Sequence, residues 1–176
     1  MTQAPPEAPR GTDALFPEVY ARLKAMAARH LAAVGPGVRI ETTVLVHELY
    51  LRISTQRELE FSHPGQFFSY AAQAMRHLLL DLARSHQSQR AGGPWQQVTL
   101  TASNGLFVLE SADQVLALDR ALDHLSEVDE RAARVIELRY FAGLTSEQAA
   151  EALAISKRTA DRDWTFALAF LKTDLD

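Results

Sequence analysis

The chain has 176 residues, 47% of them hydrophobic, with a formal charge of −4 and a pI near 5.9. That content is enough to bury a core and excludes a wholly disordered chain, while the acidic balance argues against a free-standing nucleic-acid binder, which would carry an excess of Lys and Arg. With no cysteine, disulfides, thiolate zinc sites and cysteine nucleophiles are impossible, so only the six histidines and the carboxylates remain as metal ligands.

Residues 1–12 are rich in Pro and Ala and carry no apolar run, which predicts a disordered tail. No later stretch approaches the roughly 20 apolar residues of a membrane span, so a cytoplasmic protein that makes no membrane contact is expected. Asp13 is a candidate cap for a helix in which Leu15, Phe16, Val19, Tyr20, Leu23, Met26, Ala27 and Leu31 recur at three- and four-residue steps, ended by Gly35-Pro36-Gly37. A second, short helix places Val44, Leu45, Leu49, Tyr50 and Ile53 on one side, and the polar run Ser54 to Ser62 reads as a loop. After Pro64, the stretch Phe67 to Arg84 is a strong helix former about five turns long and the expected core of a first domain. Gly92-Gly93-Pro94 breaks any helix, and the domain boundary is set there.

Residues 95–112 alternate weakly, at Val98, Leu100 and Phe107 to Leu109, among Thr, Ser, Asn and Gly, and read as an extended, flexible linker. Four helical patterns follow: Val115 to Leu125, Asp129 to Phe141, Thr145 to Leu153, and Ser156 to about Leu171. Gly143 closes one helix, and Thr145 with Gln148 three positions on forms a capping box that opens the next. Leu153-Ala154-Ile155 then connects tightly to Ser156, a second N-cap, whose helix carries Lys157, Arg158, Thr159 and Arg162 in its first two turns. This is a helix-turn-helix signature, in which the second helix enters the major groove by its N-terminal end, so that donors there reach bases and phosphates first. An ordinary helical hairpin with a basic end is the alternative for that motif taken alone.

Both halves of the chain, from Leu15 to Leu175, resemble extracytoplasmic-function (ECF) sigma factors. In the second half, Ala133-Arg134-Val135-Ile136-Glu137-Leu138-Arg139-Tyr140-Phe141-Ala142-Gly143-Leu144-Thr145, then Ser156-Lys157-Arg158-Thr159 and Arg162-Asp163-Trp164, look like the family's region 4. In the first half, Leu45-Val46-His47-Glu48-Leu49-Tyr50-Leu51-Arg52 resembles region 2.2. The run from Ala74-Met75-Arg76-His77 through Asp81 to Arg84 resembles the helix that melts the minus-ten element. The resemblance implies minus-thirty-five contacts from Ser156, Lys157, Arg158, Thr159 and Arg162, and minus-ten contacts from Arg76, His77, Arg84 and Arg90. It also implies that Gln87 to Gly93 forms a loop capturing a flipped base, and that Glu41, Thr43 and Glu48 meet the polymerase beta-prime clamp helices while region 4 meets the beta flap. Basic side chains suit a single-strand groove, and an acidic chain is compatible with DNA reading when polymerase supplies most of the affinity.

Two departures stand out. Relatives carry an Asp-Ala-Glu-Asp cluster where this chain has Glu41, Thr42, Thr43 and Val44, leaving one acidic charge of three. A Thr-containing cluster resembles a subgroup switched by Ser/Thr protein kinases. Phosphothreonine adds about −1.5 to −2 charges and three acceptor oxygens, so phosphorylation of Thr43, or failing that Thr42, is expected to restore clamp binding. The alternative is that these threonines merely cap the helix starting near Val44. In the recognition helix, Asp161 stands where relatives have Lys, which removes a phosphate contact, and Ala154 and Ala160 replace a Gly and a β-branched residue.

His47-Glu48 lacks the second histidine of a zinc hydrolase, since Leu51 stands there, and His77 and His86 lack clustered carboxylates, so no metal site is expected. Trp164 reads as a core anchor. The expectation is an all-α protein with a tail at 1–12, a region 2 domain at 13–94, a linker at 95–112 and a helix-turn-helix domain at 113–176. It would be a non-enzymatic, cofactor-free polymerase subunit, monomeric when free, whose partners are polymerase core, promoter DNA and a Ser/Thr kinase. A transcriptional regulator outside polymerase, or a protein-binding adaptor, are the alternatives.

Overall fold

The structure, a computed structural model, describes residues 10–34, 41–55, 60–61, 63–89, 101–103, 106–108 and 111–175. Among them are seven helices: α1 (Thr12–Val34), α2 (Thr42–Ser54), α3 (Pro64–Gln89), α4 (Ala112–Val128), α5 (Glu130–Tyr140), α6 (Ser146–Ala152) and α7 (Lys157–Leu175). Two very short antiparallel pairs accompany them, β1 (Arg10–Gly11) with β2 (Glu60–Phe61), and β3 (Thr101–Ser103) with β4 (Leu106–Val108). The fold is all-α, with the strand pairs acting as clips.

The apolar stripe of α1 is buried through Leu15, Val19, Leu23 and Ala27. Asp13 is not its cap, because the helix begins at Thr12; Asp13 lies in the first turn and accepts a hydrogen bond from the Tyr50 hydroxyl at 2.7 Å, tying α1 to α2. On α2 the inward set is Leu45, Val46, Leu49 and Ile53, whereas Val44, expected inside, is 56% exposed. Helical spacing explains the correction: Val46 shares a face with Leu49 and Ile53 at three- and four-residue steps, and Val44 does not.

Pro64 opens α3 at a position where its missing N–H costs nothing, and the helix continues to Gln89, past the expected end at Arg84. It buries Phe67, Ala71, Ala72, Met75, Leu78, Leu79, Leu80 and Ala83, too many for one stripe, and accordingly packs on α1 and α2 as well as on α4, α5 and α6. Within the stretch expected as a linker, β3 and β4 form a small hairpin; the remainder of 90–110, including Arg90 and the break at Gly92 and Gly93, lies outside the described residues, as does the tail before Arg10.

The second half starts where Ser111 accepts a hydrogen bond from the Gln114 N–H at 3.3 Å, capping α4. Asp129 both ends α4 and caps α5 through the Ala132 N–H at 3.0 Å. At Gly143 the chain takes φ +70°, and a Cβ there would come within 2.8 Å of the Met26 side chain, so α1 lies directly against this turn. Gly65 approaches α6 just as closely, since its Cβ would be 2.5 Å from the Ala152 Cα. A single cluster of buried apolar side chains runs through both halves. No helix among the described residues is long and apolar enough to cross a membrane.

Candidate nucleic-acid interface

The helix-turn-helix is built from α6 and α7. Thr145 and Gln148 make both halves of the capping box, at 3.2 and 3.0 Å, so the start of α6 is held from two directions. The connection turns at Ala154, which adopts φ +53°. Only a left-handed residue closes so tight a turn, and without glycine this costs about 1 kcal/mol. Ser156 accepts from the Thr159 N–H at 3.1 Å and opens α7.

Ser156, which precedes α7, and Lys157, Arg158 and Arg162 on it are exposed and Thr159 is half-buried, so the five share the open N-terminal end of the helix. Not all of that charge is available, because the Lys157 ammonium pairs with Glu147 of α6 at 2.5 Å. The pair holds Lys157 above and Glu147 below their usual ranges. Asp161 accepts a hydrogen bond from the Ser146 hydroxyl and thus ties α7 to the start of α6. Asp163, 2% exposed, accepts from Arg131 Nε at 2.5 Å and lies 3.3 Å from an Arg162 nitrogen, and the Arg131 bond keeps its carboxyl below the ordinary range. Arg139 stacks 3.7 Å from the Trp164 ring centroid, and its Nε finds no hydrogen-bond partner there. Burial lowers the Arg139 pKa against the attraction of Asp161 and Glu147.

The second expected surface lies along α3. His77 and Arg84 are exposed, but Arg76 points into the seam between the two halves, its side chain 11% exposed. Its Nε donates to Asp119 Oδ1 at 2.7 Å, one terminal nitrogen donates to Glu137 Oε1 at 2.8 Å, and the other donates to Asp123 Oδ1 at 2.6 Å and the Asp119 carbonyl at 2.9 Å. Burial works against this cation, and the three carboxylates more than offset it, pushing its pKa up.

Glu41, just before α2, and Thr43 and Glu48 on it are exposed, and Thr42 is half-buried. Glu41 occupies the N-cap position without a side-chain capping bond, which makes Thr42 and Thr43 the first two residues of the helix rather than its caps. Glu48 leans toward Arg52 at 3.5 Å, and Arg52 also reaches Asp81 of α3 at 2.8 Å. No group of three or more metal-ligating side chains occurs among the described residues.

Sequence reasoning did not single out Asp119, Asp123 or His30, and it met Asp163 only within the region 4 resemblance, not as the partner of Arg131. These partners lie on other elements, up to 110 positions away for His30, and local spacing carries no trace of such pairs. The family model for the ECF sigma factor matches residues 7–176, across both halves of the chain. No curated protein and no solved structure matches it.

Proposed function

The chain belongs to the ECF sigma factor family, and from that premise we propose that phosphorylation of a threonine at the start of α2 governs its recruitment to RNA polymerase core. As a sigma factor it serves transcription initiation, with polymerase core and promoter DNA as its partners. It supplies specificity, and the chemistry belongs to polymerase. In this reading Ser156, Lys157, Arg158, Thr159 and Arg162 meet the minus-thirty-five element, Arg76, His77, Arg84 and Arg90 serve the minus-ten element, and Glu41, Thr43 and Glu48 meet the clamp helices. Residues 13–94 and 113–176 act as separate modules on polymerase, with 95–112 as the strap between them.

The observation that carries the kinase reading is the position of Thr43, exposed at the second residue of a 13-residue helix whose N-cap makes no side-chain bond. A phosphate there gains from the free backbone N–H groups and from the helix dipole, and it restores negative charge to the stretch 41–44, where Glu41 is the one acidic residue. Exposure also leaves the hydroxyl open to a kinase. Capture of core polymerase by unmodified, phosphorylated and Thr43→Ala protein tests this. Strong capture by the phosphorylated form alone is expected, and equal capture by all three rules the switch out.

A further inference from the structure

Among the cations expected to touch DNA, Arg76 is set apart by its surroundings: it alone among those described is sequestered, and three carboxylates from α4 and α5 surround it. A guanidinium fork fits carboxylate and phosphate oxygens by the same parallel N–H donors, so the two classes of acceptor compete for one set of hydrogens. Every nitrogen of Arg76 is already engaged, at 2.6–2.9 Å. We propose that Asp119, Asp123 and Glu137 form an internal docking surface that occupies Arg76 in place of DNA phosphate. The free chain is thereby held closed, with α3 masked from single-stranded promoter DNA.

Charge sets the sign of the effect. Three carboxylates face one guanidinium, and the excess negative charge repels an approaching phosphate backbone as well as blocking its partner. The closed arrangement is tight elsewhere too: Gly65 abuts Ala152, and Met26 abuts Gly143, so a nucleic-acid strand has no room between α3 and the second half while they are docked. The ionic part of the seam, which lies beside the apolar cluster shared by both halves, nonetheless suits reversible contact. On opening, water rehydrates the guanidinium and all three carboxylates, so no charge is stranded in an apolar core, the situation that makes breaking a buried pair costly. Asp123, 68% exposed, is the point where water already reaches the cluster.

The inference rests on the sigma factor reading for the identity of the masked ligand, but the closure itself is measurable without polymerase. Because the natural chain has no cysteine, Ser85→Cys and Thr173→Cys, both at exposed positions, accept spin labels at defined places on α3 and α7 of the full chain. Pulsed electron-electron distance measurement should give one narrow distribution for this background. Adding Asp119→Asn, Asp123→Asn and Glu137→Gln together should move it to longer, broader distances. The same substitutions should raise affinity for a mixed-sequence single-stranded DNA by roughly tenfold at low salt, with a steeper salt dependence. Circular dichroism verifies that the triple variant retains its helices; if it does not, Asp123→Asn alone, at a mostly exposed carboxylate, decides the matter by a smaller shift in the same direction. Unchanged distances and unchanged DNA affinity overturn the proposal. Capture of core polymerase by the same phosphorylated and unphosphorylated proteins separates the two readings, since failure of every form to bind core defeats the sigma assignment while a distance shift still establishes the latch.

Discussion

The imidazole Nε2 of His30 donates to the carbonyl oxygen of Tyr140 at 3.0 Å, joining α1 to the end of α5 at a site where the histidine is only 2% exposed. Burial lowers its pKa from 6.5 to about 4, against the opposing backbone bond and with help from nearby Arg29. Between those values the unfolded chain holds a proton that the folded chain excludes, so stability falls as pH drops from 6.5 toward 4. The loss is on the order of 3 kcal/mol. Thermal melts of the natural chain should show this acid slope, and His30→Gln should flatten it.

Ala154 carries φ +53° in the helix-turn-helix connection. Replacing it with glycine removes the steric penalty of a Cβ in the left-handed region. Ala154→Gly should stabilise the fold by about 1 kcal/mol and raise Tm by ~2–4 °C, as read by circular dichroism. An unchanged or lower Tm means the turn relaxes elsewhere.

Gly65 tests the packing of the two halves without altering any charge. A methyl group there would meet the Ala152 backbone at 2.5 Å, which neither helix can yield by moving a side chain. Gly65→Ala should cost about 1–3 kcal/mol in urea unfolding and loosen the contact between α3 and α6. Amide exchange in α6 should quicken accordingly.

Glu147 holds the Lys157 ammonium at 2.5 Å. Glu147→Gln releases that charge at the N-terminal end of α7, the helix proposed to read the minus-thirty-five element. Binding of the phosphorylated holoenzyme to minus-thirty-five duplex should strengthen, and the salt slope should steepen by about 1, as expected for one added phosphate contact. Glu147→Gln with an unchanged slope would mean that Lys157 faces away from DNA.

Much of this architecture is visible in the amino-acid order because the signals are local. The Thr145–Gln148 box, Ser156 and Gly143 each mark a boundary through backbone chemistry within a few residues, and the structure has α6 and α7 starting beside them. The register of α2 was less legible, since Val44, Leu45 and Val46 are equally apolar and only their spacing to Leu49 and Ile53 shows that Val44 is the one left outside. For the proposed interface, sequence reasoning named cations but not what neutralises them. Arg76 meets carboxylates 43, 47 and 61 positions away, and Lys157 meets one on another helix, so their availability depends on tertiary contacts that no spacing encodes.

The most direct test of the account is promoter-dependent run-off transcription with purified core polymerase, comparing the unmodified chain, the chain phosphorylated at Thr43, and Thr43→Ala treated with the same kinase. New start sites from the phosphorylated chain alone are the expected result. Failure of every form to direct initiation on genomic templates from the source organism would contradict it.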